Sequence, residues 1–209
     1  LSWRIALYQR TPRLDFVADV DWAERQTMLK IAFPVLVRSP EASYEIQFGA
    51  VQRPTHRNTS WEQAKFEVCA HHWADLSEAG YGVSLLNDSR YGYDIKGNVL
   101  RLTALRSPDY PDPQADQGAH HWVYALLPHA GGWQEGDVVA RGWELNAPMV
   151  ALVSAGSGAG RAVSYLTAEG APVVLSALKP AADGRGWIVR LYEPHGGRGV
   201  VRLSFMRPP

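Results

Sequence analysis

Four stretches of this 209-residue chain carry side chains able to do chemistry or to bind specifically. His71-His72 and His120-His121 are two adjacent histidine pairs, and imidazole is the commonest metal ligand. Zinc needs three or four convergent N, S or O donors. Neighbours on a strand point to opposite faces, so neither pair can chelate one ion alone. A cross-strand site with one histidine from each pair is conceivable; the plainer expectation is that one histidine of each pair packs and the other meets solvent. Gly156-Ser157-Gly158-Ala159-Gly160 follows an apolar run. A dinucleotide fingerprint wants Gly-x-Gly-x-x-Gly opening a helix. Arg161 stands in the third glycine's place and the strand-like run Val163–Thr167 follows, so the stretch reads as linker. Asn58-Thr59-Ser60 is a formal glycosylation acceptor. Only a secretory route would use it, nothing else in the chain points to one, and the match is read as chance.

The fourth stretch runs from Leu105 to Gly118 and holds three prolines and three aspartates. Loops of this length without secondary structure are uncommon and often functional. Arg106 offers a planar fork of donors, Tyr110 an aromatic face, and Asp112 and Asp116 acceptors for hydroxyl groups. Sugar recognition uses such groups, stacking ring C–H faces on aromatics and pairing hydroxyls with charged forks. A solvated, proline-stiffened crossover would show the same residues, so both readings stand on the residues alone.

The elements that would hold these groups are strands. Leu14, Phe16, Ala18, Val20 and Trp22 alternate with Asp15, Val17, Asp19 and Asp21, and Leu29, Ile31, Phe33, Val35 and Val37 alternate likewise. Period two lets one face be buried and the other wetted. Further short runs, rich in β-branched and aromatic residues, predict strands at Tyr44–Phe48, Lys65–Ala70, Gly82–Leu86, Val99–Leu105, His121–Leu127, Met149–Val153, Val163–Thr167, Val173–Leu178, Trp187–Tyr192 and Val200–Phe205. Hairpin-like turns stand at Ala182–Gly186 and His195–Gly199. No long helical stripe is present. The pattern predicts an all-β chain, an antiparallel β-sandwich with a smaller C-terminal β sheet. We expect a main sandwich over residues 1–153, a Gly/Ser-rich linker over 154–162 and a small β subdomain over 163–209. The core should bury Leu14, Phe16, Ile31, Phe33, Phe66, Val68, Leu85, Leu102, Tyr124 and Leu126, with Trp22 and Trp122 turned inward.

Composition narrows the partners. Lys+Arg and Asp+Glu both number 21, without a basic cluster, which argues against nucleic acid or an anionic membrane as the main partner. No apolar run approaches the roughly 18 residues of a membrane span. The lone Cys69 cannot form an internal disulfide and fits a reducing compartment. The opening at Leu1, with no leader pattern, reads as that of a fragment.

A longer set of words then becomes informative. Tyr44–Gly49 is followed by Arg53-Pro54-Thr55-His56-Arg57-Asn58-Thr59-Ser60-Trp61, then Lys65-Phe66-Glu67-Val68 and Ala70–Glu78. Gly80–Asp94 comes next, with Asn87-Asp88-Ser89-Arg90-Tyr91-Gly92-Tyr93-Asp94 at its end, and later Tyr124-Ala125-Leu126-Leu127-Pro128-His129. Pro12–Phe16 and Val189–Gly196 match at the two ends. Together these resemble the C-terminal region of glycoside hydrolase family 38 α-mannosidases, of the cytosolic and bacterial branch. The resemblance spans nearly the whole chain, and its specific words lie between Tyr44 and Pro128.

The resemblance implies an accessory β portion of a retaining, zinc-dependent enzyme that hydrolyses terminal α-mannosyl linkages. Such enzymes use an aspartate nucleophile and a second carboxyl as acid and base. It implies that those groups and the zinc ligands lie on an N-terminal catalytic domain of the same polypeptide, with no cofactor and no activity in this fragment. A mannose-containing oligosaccharide would be the ligand of the whole enzyme, and a cytoplasmic location follows from the branch. By position, Arg106 with Tyr110, Asp112 and Asp116 resembles a loop at the rim of the sugar pocket, with Asn87 and Asp88 a second rim element. An orphaned apolar patch would allow a homo-oligomer. The competing readings are an independent carbohydrate-binding module, which needs an exposed aromatic platform, and a purely structural domain.

Overall fold

The computed structural model describes residues 1–153 and 162–206. They form two compact units, one of Leu1–Gln47 with Val51–Pro148 and one of Phe48–Ala50 with Met149–Pro209. The first unit holds β1 (Ser2–Leu7), β2 (Leu14–Trp22), β3 (Leu29–Pro34), β4 (Glu41–Ile46), all but the first two residues of β5 (Gly49–Pro54), α1 (Ser60–Ala64), β6 (Val68–Cys69), β7 (Trp73–Glu78), β8 (Tyr81–Asn87), β9 (Gly92–Lys96), β10 (Val99–Leu105), β11 (Gly118–Ala130) and α2 (Val138–Asn146). The second holds β12 (Leu166–Gly170), β13 (Val174–Pro180), β14 (Trp187–Tyr192) and β15 (Val201–Phe205).

The first unit is an antiparallel sandwich. A seven-stranded sheet, ordered β1-β2-β11-β8-β7-β4-β5, faces a four-stranded sheet, ordered β3-β10-β9-β6. The alternation in β2 places Ala18 and Val20 in the core, with Phe16 packed against it. Phe16 stacks on Tyr124 at 4.9 Å within the large sheet and meets Phe33 of the small sheet at 5.5 Å. Leu85, Leu100, Leu102 and Trp122 are fully enclosed. Enclosing one such side chain is worth about 1.5–3 kcal/mol. The opposite face of β2 is not uniformly wet. Asp15 is buried there because Arg13 grips both its oxygens, at 2.7 and 3.0 Å.

Four strands cannot cover seven. Trp3, Ile5 and Leu7 of edge strand β1 stand opposite Ala18, Phe16 and Leu14 and so share the core-side face. They lie beyond the small sheet and remain 57–71% exposed.

Several expectations need correction. Phe66 is 74% exposed, because the strand expected at Lys65–Ala70 shrinks to the two residues of β6. The chain before it is taken up by α1, whose capping box joins Thr59 and Glu62. Met149–Val153 is exposed and irregular, having no ladder partner among the described residues. The turn at Ala182–Gly186 does close a hairpin between β13 and β14. The turn at His195–Gly199 does not, since β15 pairs with β12. The C-terminal β sheet is thus two separate two-stranded ladders. Strands β1, β5, β7 and β9 and helices α1 and α2 lie outside the predicted runs. The expected linker 154–162, and with it the Gly156–Gly160 run, lies outside the described residues except for Ala162.

Candidate functional site

Strand pairing brings two segments to one end of the large sheet: Trp22, at the end of β2, stands opposite Gly118, at the start of β11. Asn87, at the end of β8, stands opposite Tyr124, six residues further into β11, and the loop after it runs along β11 through Asp88 on Val123 and Arg90 over Trp122.

The segment before β11 is pinned by its own acids. One carboxylate oxygen of Asp116 accepts the main-chain N–H of Arg106 at 2.8 Å and of Ser107 at 3.0 Å. Those donors, the Arg106 N–H foremost, hold Asp116 below the usual carboxylate range against the effect of burial, and His120 and Arg90 act in the same sense. The Trp22 indole donates to the buried Ser107 hydroxyl at 2.5 Å, and the Ser107 carbonyl accepts the Gln26 N–H at 2.9 Å. Asp112 accepts the Gln114 N–H at 2.9 Å, and the Gln117 amide donates to the Glu24 carbonyl at 2.6 Å. What remains outward is specific. The Arg106 side chain is exposed and makes no hydrogen bond or ion pair among the described residues. Tyr110 is 88% exposed. Of the loop's four expected rim residues, Arg106, Tyr110 and Asp112 are exposed, while Asp116 serves as the brace.

The second expected rim element is different in kind. Asn87 is completely buried. Its amide donates to the His71 carbonyl at 2.8 Å and the Tyr93 hydroxyl at 2.5 Å, and its carbonyl oxygen accepts the N–H groups of Ser89 and Arg90. With that many internal partners, the Asn87 side chain holds its loop in place. Asp88 accepts the Val123 N–H at 2.9 Å and the Ser89 hydroxyl at 2.8 Å, tying the same loop to β11. Between them Arg90 is laid over the Trp122 ring, 5.0 Å from its centroid.

The four histidines of the two pairs go separate ways. His72 meets Glu45 at 3.0 Å, His71 packs edge-on against Tyr91, His120 meets the Asp116 carbonyl at 2.9 Å, and exposed His121 meets Asp19 at 2.7 Å. Among the described residues no three His, Cys, Asp or Glu side chains converge on a metal position.

One polar cluster had no sequence signal, because its members are scattered. His129 Nε2 lies 2.8 Å from Asp75 Oδ2, and the Ser84 hydroxyl donates to the same oxygen at 2.7 Å. The Ser77 hydroxyl donates to the other oxygen at 2.5 Å. Serine, histidine and aspartate suggest a hydrolytic triad, but there the imidazole must carry nucleophile and carboxylate on different nitrogens. Here both meet Nε2, with Ser84 at 3.3 Å. Ser84 is wholly enclosed and His129 is 8% exposed. The cluster is structural. Gly82 and Gly136 flank it because a methyl group on either would collide with the imidazole. Burial would push His129 down, but the bond and charge of Asp75, aided by the Ala130 and Gly131 carbonyls, raise it above its ordinary 6.5. A raised cationic group stabilises the fold fully below its unfolded value and loses that contribution as pH rises through its folded value. Thermal melting should therefore fall from about pH 6.5 upward. His129→Gln, which still donates to Asp75 but does not titrate, should flatten that segment of the profile. Identical profiles for the two proteins would show that His129 is not the titrating group.

Residues 1–114 match the family described as "Glycosyl hydrolases family 38 C-terminal domain". Residues 172–208 match "Glycosyl hydrolases family 38 C-terminal beta sandwich domain". The chain is 44% identical over 211 residues to Alpha-mannosidase 2C1 of Homo sapiens, covering 100% of this chain and 20% of that protein. It is 52% identical over 126 residues to an alpha-mannosidase of Saccharomyces cerevisiae, covering 60% of this chain and 12% of that protein. The crystal structure of an alpha-mannosidase from Enterococcus faecalis superposes with a TM-score of 0.84 at 17% identity, over 96% of this chain and 24% of that one. The chain thus spans about a fifth of the length of the curated relatives it matches.

Proposed function

Since this chain belongs to the C-terminal region of glycoside hydrolase family 38, we propose that it is the accessory β portion of an α-mannosidase, packing on a catalytic domain and lending a loop to the rim of the sugar pocket. The observation that carries the reading is the alignment of the whole chain, at 44% identity, with one fifth of a human α-mannosidase. In this proposal the enzyme hydrolyses terminal α-mannosyl linkages of an oligosaccharide with retention. The two carboxyl groups of that reaction and the zinc ligands are assigned to the part of the polypeptide outside this chain, as the family resemblance implies. The uncovered row Trp3, Ile5 and Leu7 supports packing on such a domain, since a monomer rarely leaves a contiguous apolar strand face bare. The proposal sets the protein in the cytoplasm, where a free thiol such as that of Cys69 stays reduced.

Arg106 is the residue with which the chain would reach the pocket. Its main chain is held by Asp116, so its position is set at low entropic cost, while its five donors remain free for hydroxyl pairs or a carboxylate. In the full-length enzyme, Arg106→Ala should lower kcat/KM for an aryl α-mannoside by about ten- to a hundred-fold, as expected for one charged hydrogen bond worth roughly 1.5–3 kcal/mol. The melting temperature should barely move, because an exposed charge contributes little to stability. Unchanged kinetics with a destabilised protein would place Arg106 in the fold and away from the pocket.

A further inference from the structure

Strand β5 ends in Arg53-Pro54, and the Arg53 guanidinium lies over the ring of Tyr44, 4.6 Å from its centroid. Its Nη1 is closed off from solvent and has no hydrogen-bond partner among the described residues. A guanidinium nitrogen in that position is costly unless an acceptor meets it, because desolvation of a charged donor is not otherwise compensated. Beside it opens a small hollow of about 40 Å³, lined among others by Arg53, His56, Arg57, Glu62, Lys65 and Asp94.

The acidic walls of this hollow are already spoken for. Asp94 takes Arg57 at 2.6 Å, Arg101 at 3.3 Å and Lys30 at 3.7 Å. The Glu62 carboxylate accepts the N–H groups of Asn58 and Thr59 at 2.6 and 3.0 Å, and the Thr59 donor foremost holds it below the usual range. His56 Nδ1 lies 3.4 Å from the same carboxylate. Neither Arg53 nor Lys65 forms an ion pair among the described residues. The hollow therefore carries uncompensated positive charge next to a donor without an acceptor. Burial pushes the Tyr44 hydroxyl far up, so it brings no competing negative charge.

We propose that this hollow binds a small oxyanion, a carboxylate or a phosphate, received by the Arg53 guanidinium with Lys65 at its mouth. Stacking on Tyr44 restricts the guanidinium, and its fork matches the spacing of two oxygens on one carbon or phosphorus. The site is independent of the sugar-rim reading. It sits at the carboxyl end of β5, whereas the rim loops leave from the opposite end of the sheet, where β4 and β8 finish.

The test is a titration of the purified chain at constant ionic strength, chloride being exchanged for inorganic phosphate in one arm and for acetate in the other. Calorimetry and the ¹⁵N resonance of the Arg53 side chain are the readouts. Saturable one-to-one binding in either arm, roughly millimolar or tighter, with movement of the Arg53 resonance, is the expected result, and the arm that binds identifies the phosphate or carboxylate source. Arg53→Met should weaken binding at least about tenfold. Lys65→Met should weaken it a few-fold with an unchanged melting temperature, so that the test stands even if Arg53→Met fails to fold. Absence of saturable binding in both arms, an Arg53 resonance that does not move, or equal affinity in Lys65→Met and the parent would overturn the proposal.

Discussion

Asp75→Ala is expected to destabilise the first unit by about 3–5 kcal/mol, the loss found when one partner of a buried charged pair is removed. Asp75 is 1% exposed and accepts from Ser77, Ser84 and His129 at once. Removing it leaves two hydroxyls without their acceptor and an imidazole whose cationic form has lost its counter-charge. The pH dependence should also reverse. Without Asp75, burial becomes the leading influence on His129 and disfavours its charged form, so the variant should lose stability as pH falls, where the parent gains. Urea denaturation at pH 6 and pH 8 measures both effects. A loss below about 1 kcal/mol at both pH values would show that the cluster adds little to the fold.

Asn87→Ala should cost about 3 kcal/mol, since unsatisfied buried groups cost about 1–3 kcal/mol each and several are created. The N–H groups of Ser89 and Arg90 lose their acceptor, and the His71 carbonyl and Tyr93 hydroxyl lose the amide and keep only a long 3.5 Å bond to each other. Tyr93 is itself fully buried, with its hydroxyl pushed far up, so it cannot turn to water. The loop should loosen with the fold, carrying Arg90 off the Trp122 ring. The denaturation midpoint reports the stability, and indole fluorescence at Trp122 reports the loop. Full stability with unchanged fluorescence would mean that the loop is held by Asp88 and β11 alone.

The two changes bear on residues that differ in what the sequence says of them. Asn87 reads as a rim residue through the family resemblance alone. Its side chain instead turns inward, and the reason is the backbone: the loop's own N–H groups and the His71 carbonyl need partners, and Asn offers both a donor and an acceptor. Asp75, Ser84 and His129 form no motif in the sequence. Asp75 and Ser84 are nine positions apart, and Asp75 and His129 fifty-four.

What the sequence determined by itself is local and periodic. Alternation along Leu14–Trp22 and Leu29–Phe33 specified strands, and their number with frequent turns specified an all-β sandwich. The family words between Tyr44 and Pro128 specified kinship. The prolines and aspartates of the Leu105–Gly118 stretch specified an irregular loop. Which face each strand buries, and how far the cover extends, was decided only by tertiary pairing. Period two distinguishes two faces without saying what lies against either. So Trp3, Ile5 and Leu7 alternate as a core row would and stay bare, because the opposing sheet has four strands where this one has seven. Arg53 reads as a surface cation and ends with a nitrogen enclosed over Tyr44, because the strand beside it and the Thr55–Lys65 segment close around it. Burial of a polar atom depends on neighbours far away in the chain, and no spacing rule within one segment carries that information.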